Sequence, residues 1–326
     1  MKRVVGIASL VFALGLAAAA GLLRLPYYAV GPGPAREVQP LITFSGHPRY
    51  ESQGKLIMTT VRWYQVTPLQ ALRVWFDPHW TLVRQDVLYP KGTNQAIEVR
   101  QARSEMDQSK IDAASVALHA ILDYPKEHGT GALIESVIQG CPAEGKLVAG
   151  EVITAIDGKP VTSREQASKA IDAVAPGDPV GLSVMNANAT TDVQLTRAVC
   201  GGSSRPLVGI TMVQPFPFSI SISSGDIGGP SAGLMWALGL YDLMTPGDLT
   251  GGRIVAGTGT IDTKGHVGPI GGITDKVSAA ESVGAQVFLV PAENMAELKG
   301  VDTGSMKLVS VSTFQDALDA LGALSP

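Results

Sequence analysis

The sequence is poor in several things, and each shortage removes a class of function. It has only two cysteines in 326 residues, too few for a disulfide-rich scaffold and without the spacing of a zinc site. It has no basic surplus: 25 Lys and Arg stand against 29 Asp and Glu, so nucleic acid is not the indicated partner. Charged residues make up 17% and hydrophobic ones 45%, which argues against a disordered chain. No valid phosphate-binding loop is present. Gly140-Cys141-Pro142-Ala143-Glu144-Gly145-Lys146 has its spacing, but Leu147 stands where a Ser or Thr must hold magnesium, and Pro142 removes a backbone donor. No internal repeat is evident. No cofactor and no metal is called for by any cluster of side chains.

One feature is present in excess. Val4 to Leu23 holds sixteen apolar residues out of twenty and no charge. At 1.5 Å per residue such a run spans a bilayer core of about 30 Å. Lys2 and Arg3 precede it and Arg24 follows it, which leaves residue 1 in the cytoplasm and the body of the chain outside. Residues 1–24 therefore read as a membrane anchor or, with Ala17 to Ala20 as a cleavage site, as a signal segment. Beyond residue 24 the balance is 22 basic to 29 acidic residues. An extracytoplasmic compartment permits disulfides, so Cys141 and Cys200 are either a pair or two buried thiols.

Residues 25–36, with Gly31-Pro32-Gly33-Pro34, read as a stiff, turn-rich linker. Short β-like runs follow at Pro40–Phe44 and Leu56–Val61. Pro68–Trp75 reads as a helix capped by Thr67, and Ser109–Leu122 as an amphipathic helix. Between Tyr124 and Ala198 the pattern changes to strands near Gly131–Ile134, Gly150–Ile156 and Pro179–Val184, with a helix near Glu165–Ala173. The Gly131–Ile134 loop and the run SVIQGCPAEGKLVAGEVITAIDGKPV make this segment resemble a bacterial-type PDZ domain, assigned to residues 124–200. The resemblance implies capture of an extended peptide on a sheet edge. It also implies that Gly131, Ala132, Leu133 and Ile134 bind the peptide, with the amides of the Gly131–Leu133 loop receiving its terminal carboxylate. The groove could equally be covered by the rest of the chain.

The chemistry sits further on. Phe218–Ile222 alternates as a strand and leads through Gly229-Pro230-Ser231-Ala232-Gly233 into a helix over Leu234–Leu243. A hydroxyl at the start of a buried helix is well sited to attack a carbonyl, since free amides and the helix dipole favour developing negative charge. A serine there also caps helices, so this segment alone leaves Ser231 open. A nucleophile needs a base. The G-x-S-x-G spacing also suits a nucleophile elbow, which demands a downstream Asp and His. The sole later histidine, His266, has Asp262 only four residues before it, which makes a triad hard to assemble. Lys276 opens a helix containing apolar Ala279, Ala280 and Val283, where desolvation and the helix dipole both favour a neutral amine able to take a proton. The alternative is an ordinary solvated lysine.

Four stretches in order resemble the proteolytic domain of Lon Ser-Lys proteases: GDIGGPSAGLMWALGLYDL, DLTGGRIVAGTGTID, GHVGPIGGITDKVSAA and VFLVPAEN. The resemblance implies Ser231 as nucleophile and Lys276 as general base, with Asp226 and Gly229 as supporting residues. Asp226 departs from the family pattern, because Ile227 and an extra glycine intervene before Gly229-Pro230-Ser231. Without an ATPase engine, and with LPYYAVGPGPAREV after the apolar run, the chain resembles membrane-anchored, PDZ-bearing, Lon-like proteases of actinobacterial type. GKLIMTTV and MDQSKIDAASVAL resemble the early strand and helix of the proteolytic domain.

The fold expected is therefore α+β: a Lon-type domain split into residues 37–122 and 203–326, an inserted PDZ domain, and one N-terminal transmembrane helix. The function expected is an ATP-independent serine endopeptidase acting on unfolded or flexible proteins outside the cytoplasmic membrane. Its partners are protein or peptide substrates and the membrane, and the resemblance implies a hexameric homo-oligomer. The alternative is a non-catalytic, membrane-tethered PDZ adaptor on a degenerate protease fold.

Overall fold

The core is organised around one helix, Gly233–Met244, whose residues are apolar on nearly every side and, apart from Tyr241, buried. A helix of that composition must be surrounded rather than half-exposed. A computed structural model, describing residues 15, 20–90, 94–186 and 189–323, shows what surrounds it. On one side lies the long helix Gln95–Ile121, on another the C-terminal helix Phe314–Gly322. Beneath lies a five-stranded sheet in the order Arg36–Glu37, Lys55–Met58, Ile254–Gly257, Val287–Pro291, Lys307–Val311. Every pairing in it is parallel except the first.

Alternation along these strands explains the layering. Leu56, Met58, Val255 and Leu289 face the central helix, whereas Ile57, Ala256, Phe288 and Val290 face the helix Ile273–Ser282 on the opposite side. A parallel sheet buried on both faces needs such continuously apolar strands. The segment before residue 122 and the segment after 203 thus share one sheet, since Lys55–Met58 lies in register beside Ile254–Gly257.

The second unit has its own core, with Ile134, Ile153, Leu182 and Leu195 at its centre. Its antiparallel sheet runs Ala189–Thr196, Pro179–Asn186, Val152–Ile156, Ala132–Val137, Ile210–Val213. The helix Arg164–Ala173, capped by Ser163, packs on it through Ala167 and Ile171. Cys141 and Cys200 are bonded to each other within this unit.

Three sequence expectations need correction. Residues 25–36 are not a linker. Tyr27–Pro32 is the middle strand of a three-stranded antiparallel sheet with Val61–Gln65 and Thr81–Arg84, because Ala29 buries against Val66 and Val74 while Tyr28, on the other face, meets Tyr89. The PDZ unit does not end at residue 200, because Ile210–Val213 completes its sheet. The helix read over Ser109–Leu122 begins at Gln95. Its first half is polar on all sides and carries no periodic signal, yet Asn94 caps it by accepting from the Ala96 amide. Among the described residues no helix is long and apolar enough to cross a membrane. Nearly all of the run Val4–Leu23 lies outside them.

Candidate active site

Ser231 sits one residue before the cap of the central helix, on a turn pinned from three sides. The Gly229 amide donates to the carbonyl of Ala102 at 2.7 Å, and Ser109 Oγ donates to the carbonyl of Pro230 at 3.0 Å. The Ser231 carbonyl accepts from the Gly259 amide at 2.8 Å and from Thr258 Oγ1 at 2.9 Å. The long helix and the strand after Ile254 therefore hold the serine between them. Gly233 is required at this crossing: a Cβ there would come within 2.8 Å of Ile261 Cγ2 and of Ser109 Oγ. The Ser231 hydroxyl does not cap the helix, which starts without a side-chain cap.

Lys276 lies in the first turn of Ile273–Ser282, 3% exposed. Its Nζ donates to Ser231 Oγ at 2.7 Å and to Thr258 Oγ1 at 3.0 Å. Burial lowers its pKa from 10.5 to about 8, because the cation loses its hydration and no carboxylate pairs with it. Ser231, Lys276 and Thr258 thus form a closed arrangement: the amine bonds both hydroxyls, and the Thr258 hydroxyl bonds the backbone of the serine. Proton transfer from Ser231 Oγ to a neutral Lys276 needs no further approach of the two groups.

Thr258 was missed by sequence reading. It lies inside the stretch Asp248–Asp262, which resembled the Lon pattern, but a lone threonine between glycines carries no chemical signature of its own. His266, the alternative base, bonds Asp262 at 2.9 Å on an exposed turn and makes no contact with Ser231. Asp226 is fully exposed, 3.9 Å from Arg103, and touches neither Ser231 nor Lys276. Gly229 belongs to the turn and acts through its backbone.

The peptide-binding residues read from sequence need the clearest correction. Ala132, Leu133 and Ile134 lie on the strand Ala132–Val137, which has neighbours on both sides. Leu133 stands opposite Val152 on one side and Val213 on the other, so the strand has no free edge for a peptide. Gly131 packs against Ile153 and Val152. Among the described residues the sheet ends in two edge strands, Ala189–Thr196 and Ile210–Val213, and of these Ile210–Val213 is the neighbour of Ala132–Val137. The helix Arg164–Ala173 flanks Ile210–Val213: the Arg164 amide donates to Gln214 Oε1, and Arg197 ties Pro206 to the helix's C-terminal end. The loop before this edge is fixed from below. The carbonyls of Val208 and Gly209 accept from the amides of Ala143 and Ile138, and a Cβ on Gly209 would collide with Cys141.

Residues 219–323 match the Lon protease C-terminal proteolytic domain, and residues 98–196 match a PDZ domain. The chain carries a Lon-type serine protease domain joined to a PDZ domain. Lon protease 2 of Bacillus subtilis is 41% identical over 98 residues, covering 29% of this chain and 17% of that protein. The Lon protease of Rickettsia felis is 36% identical over 108 residues, covering 32% of this chain and 14% of that protein. The chain thus spans less than a fifth of the length of these relatives. Among solved structures, the PDZ domain of the SdrC-like protein from Listeria monocytogenes is 27% identical, with a TM-score of 0.24. It covers 26% of this chain and 88% of that one. The PDZ match stops at residue 196, short of the edge strand Ile210–Val213.

Proposed function

We propose that the chain is a serine endopeptidase that works without ATP on unfolded or flexible protein segments, using Ser231 as nucleophile and Lys276 as general base. The observation that carries this reading is the 2.7 Å bond from the buried Lys276 Nζ to the Oγ of half-buried Ser231. Neutral Lys276 takes the hydroxyl proton as Ser231 Oγ attacks a peptide carbonyl. The resulting ammonium gives that proton to the leaving amine, and an acyl-enzyme remains. Water attacks the ester with the same amine as base, and Ser231 recovers its proton. The amides of Ser231 and Ala232, at the positive end of the central helix, bond to nothing else described and would receive the oxyanion.

Independence from ATP is supported by the fate of the one loop with phosphate-binding spacing. Gly140–Lys146 forms turns of the PDZ unit, with Cys141 in a disulfide and the Gly140 amide bonded to Glu144. The disulfide supports an oxidising compartment, as does the apolar run before residue 24. The catalytic part would then act outside the cytoplasmic membrane, with the run as its anchor. The PDZ unit would take substrate tails on the Ile210–Val213 edge, with the terminal carboxylate on the loop Leu207–Gly209. Amidating the C-terminus of a bound peptide is expected to weaken binding; equal affinity for the acid and the amide would remove the carboxylate role. Assembly into a ring of identical subunits is proposed on the resemblance to Lon alone.

The deciding assay is cleavage of an unstructured protein without nucleotide. Wild type should cut it, while Ser231→Ala and Lys276→Ala should not. Cleavage by Ser231→Ala, or an inert wild type in every assembly state, would leave the PDZ adaptor as the better reading.

A further inference from the structure

The small three-stranded sheet at the start of the described chain carries a helix that contributes little to either core. Pro68–Trp75 is fixed by a capping box, in which Thr67 and Gln70 bond each other's backbone amides. Its inner face buries Val74. Its outer face presents Leu69, Leu72, Trp75 and, at the cap, Phe76, each between 57% and 78% exposed. Residues spaced three and four apart share one side of a helix, so these four make a continuous stripe. Trp63, on the adjoining strand, is also exposed. Singly exposed apolar residues are common, but a contiguous aromatic and aliphatic patch marks a binding surface.

What covers this face is indicated by where the apolar run enters the fold. Arg24 Nη1 donates to the Gln65 carbonyl at 2.8 Å and reaches Gln70 of the helix at 3.5 Å. The Leu25 amide donates to the Val66 carbonyl at 2.9 Å. Residues 65 and 66 immediately precede the cap of the helix, so Arg24 and Leu25, which follow the apolar run in the sequence, join the fold beside the helix's N-terminal end. On the other flank of the same helix, Arg24, Arg62 and Arg73 line a cavity of about 530 Å³ together with Gln70 and Val74, and its only acid is Asp77. Tryptophan, leucine and phenylalanine flanked by arginines suit the boundary between acyl chains and anionic headgroups.

We propose that the Leu69–Leu72–Trp75–Phe76 face lies in the interface of the bilayer that residues 4–23 enter, so that the protein is held by two membrane contacts and not by a bare tether. This rests on the anchored reading above. A chain fixed at two adjacent points loses much of the rotational freedom of one held at a single point, which gives the catalytic domain a set orientation toward the membrane surface.

The test uses the full chain reconstituted in vesicles of phosphatidylcholine and phosphatidylglycerol, with and without bromine on the acyl chains. Flotation with the vesicles after an alkaline wash reports the anchor. The difference in emission between wild type and Trp75→Phe reports Trp75 alone, and its wide exposure makes the substitution harmless to folding. The expected result is flotation together with loss of most of the Trp75 signal in brominated lipid, and recovery of that signal when Leu72→Glu is added. Flotation with full Trp75 emission would overturn the docking face and leave the anchor intact. A chain that stays in the aqueous fraction would overturn both. Trp75 emission that shifts to the blue with protein concentration in lipid-free detergent would give the face to a second copy of the chain instead.

Discussion

Lys276 and Asp112 are both buried beside the central helix, and their surroundings differ in one respect. Lys276 is 3% exposed and Asp112, on the long helix, is 6% exposed. Burial moves both toward neutrality. The lysine falls from 10.5 to about 8, and the aspartate rises from 3.8 to about 8, mainly by desolvation and further by the charge of Glu135 on the PDZ strand. Lys276, however, has two hydroxyl partners, whereas Asp112 Oδ1 has none among the described residues. The difference teaches that burial supplies the altered proton affinity, while partners decide whether it can be used. At Lys276 the lost hydration is replaced by a nucleophile and a positioning hydroxyl. At Asp112 it is replaced by another carboxylate, between the catalytic helix and the PDZ sheet.

The comparison is sharpest when the lysine is removed. Lys276→Met should lower peptide cleavage by about 10⁴-fold, the scale on which catalytic units fail when one member is lost. It should also raise stability at neutral pH. The folded pKa lies below the unfolded one, so the unfolded chain binds more protons between about pH 8 and 10.5. The penalty is therefore complete below pH 8 and relieved as pH climbs toward 10.5. Methionine abolishes it, for a gain of up to about 3 kcal/mol at pH 7. Thermal unfolding at pH 7 checks this, and a destabilised Lys276→Met would break the claim that the buried amine costs stability.

Thr258→Val tests the partners. Losing the hydroxyl that joins Lys276 to the Ser231 backbone should lower kcat by about 10- to 100-fold while KM changes little. Unchanged kcat would reduce Thr258 to a packing role. Asp112→Asn is expected to act on stability and not on cleavage, in the opposite pH sense. Its folded pKa is raised, so wild-type stability is greatest below about pH 4 and falls as pH rises through about 8. The asparagine variant lacks that fall. It should melt several degrees above wild type at pH 8 and together with it at pH 4, at about 2–4 °C per kcal/mol for a domain of this size. Equal melting points at pH 8 would contradict a strained carboxylate.

How far these features could be read in advance follows from their range along the chain. Ser231 and Lys276 were left open by their own surroundings, and it was the ordered Lon-like stretches around them that singled them out. The helix Gly233–Met244 was legible as Leu234–Leu243, and one strand of the parallel sheet as Leu56–Val61, because both are contiguous apolar runs. Thr258 was not, since its role arises from the distance between two strand ends and a helix. The PDZ edge Ile210–Val213 was misassigned because it pairs with a strand more than seventy residues earlier, across the disulfide loop. The buried Asp112 was hidden by its place in an otherwise good amphipathic helix, where only the docking of the PDZ sheet covers it. The three-stranded sheet was masked by Gly31-Pro32-Gly33-Pro34, whose turn signal follows a strand of only six residues.

The central claim is that a neutral, buried Lys276 activates Ser231, and the pH dependence of kcat/KM for peptide cleavage without nucleotide tests it most directly. The account predicts a rate that rises with pH through an apparent pKa of about 8 to a plateau, and that vanishes at every pH in Ser231→Ala. A rate flat between pH 6 and 10, or one that survives in Ser231→Ala, would contradict it.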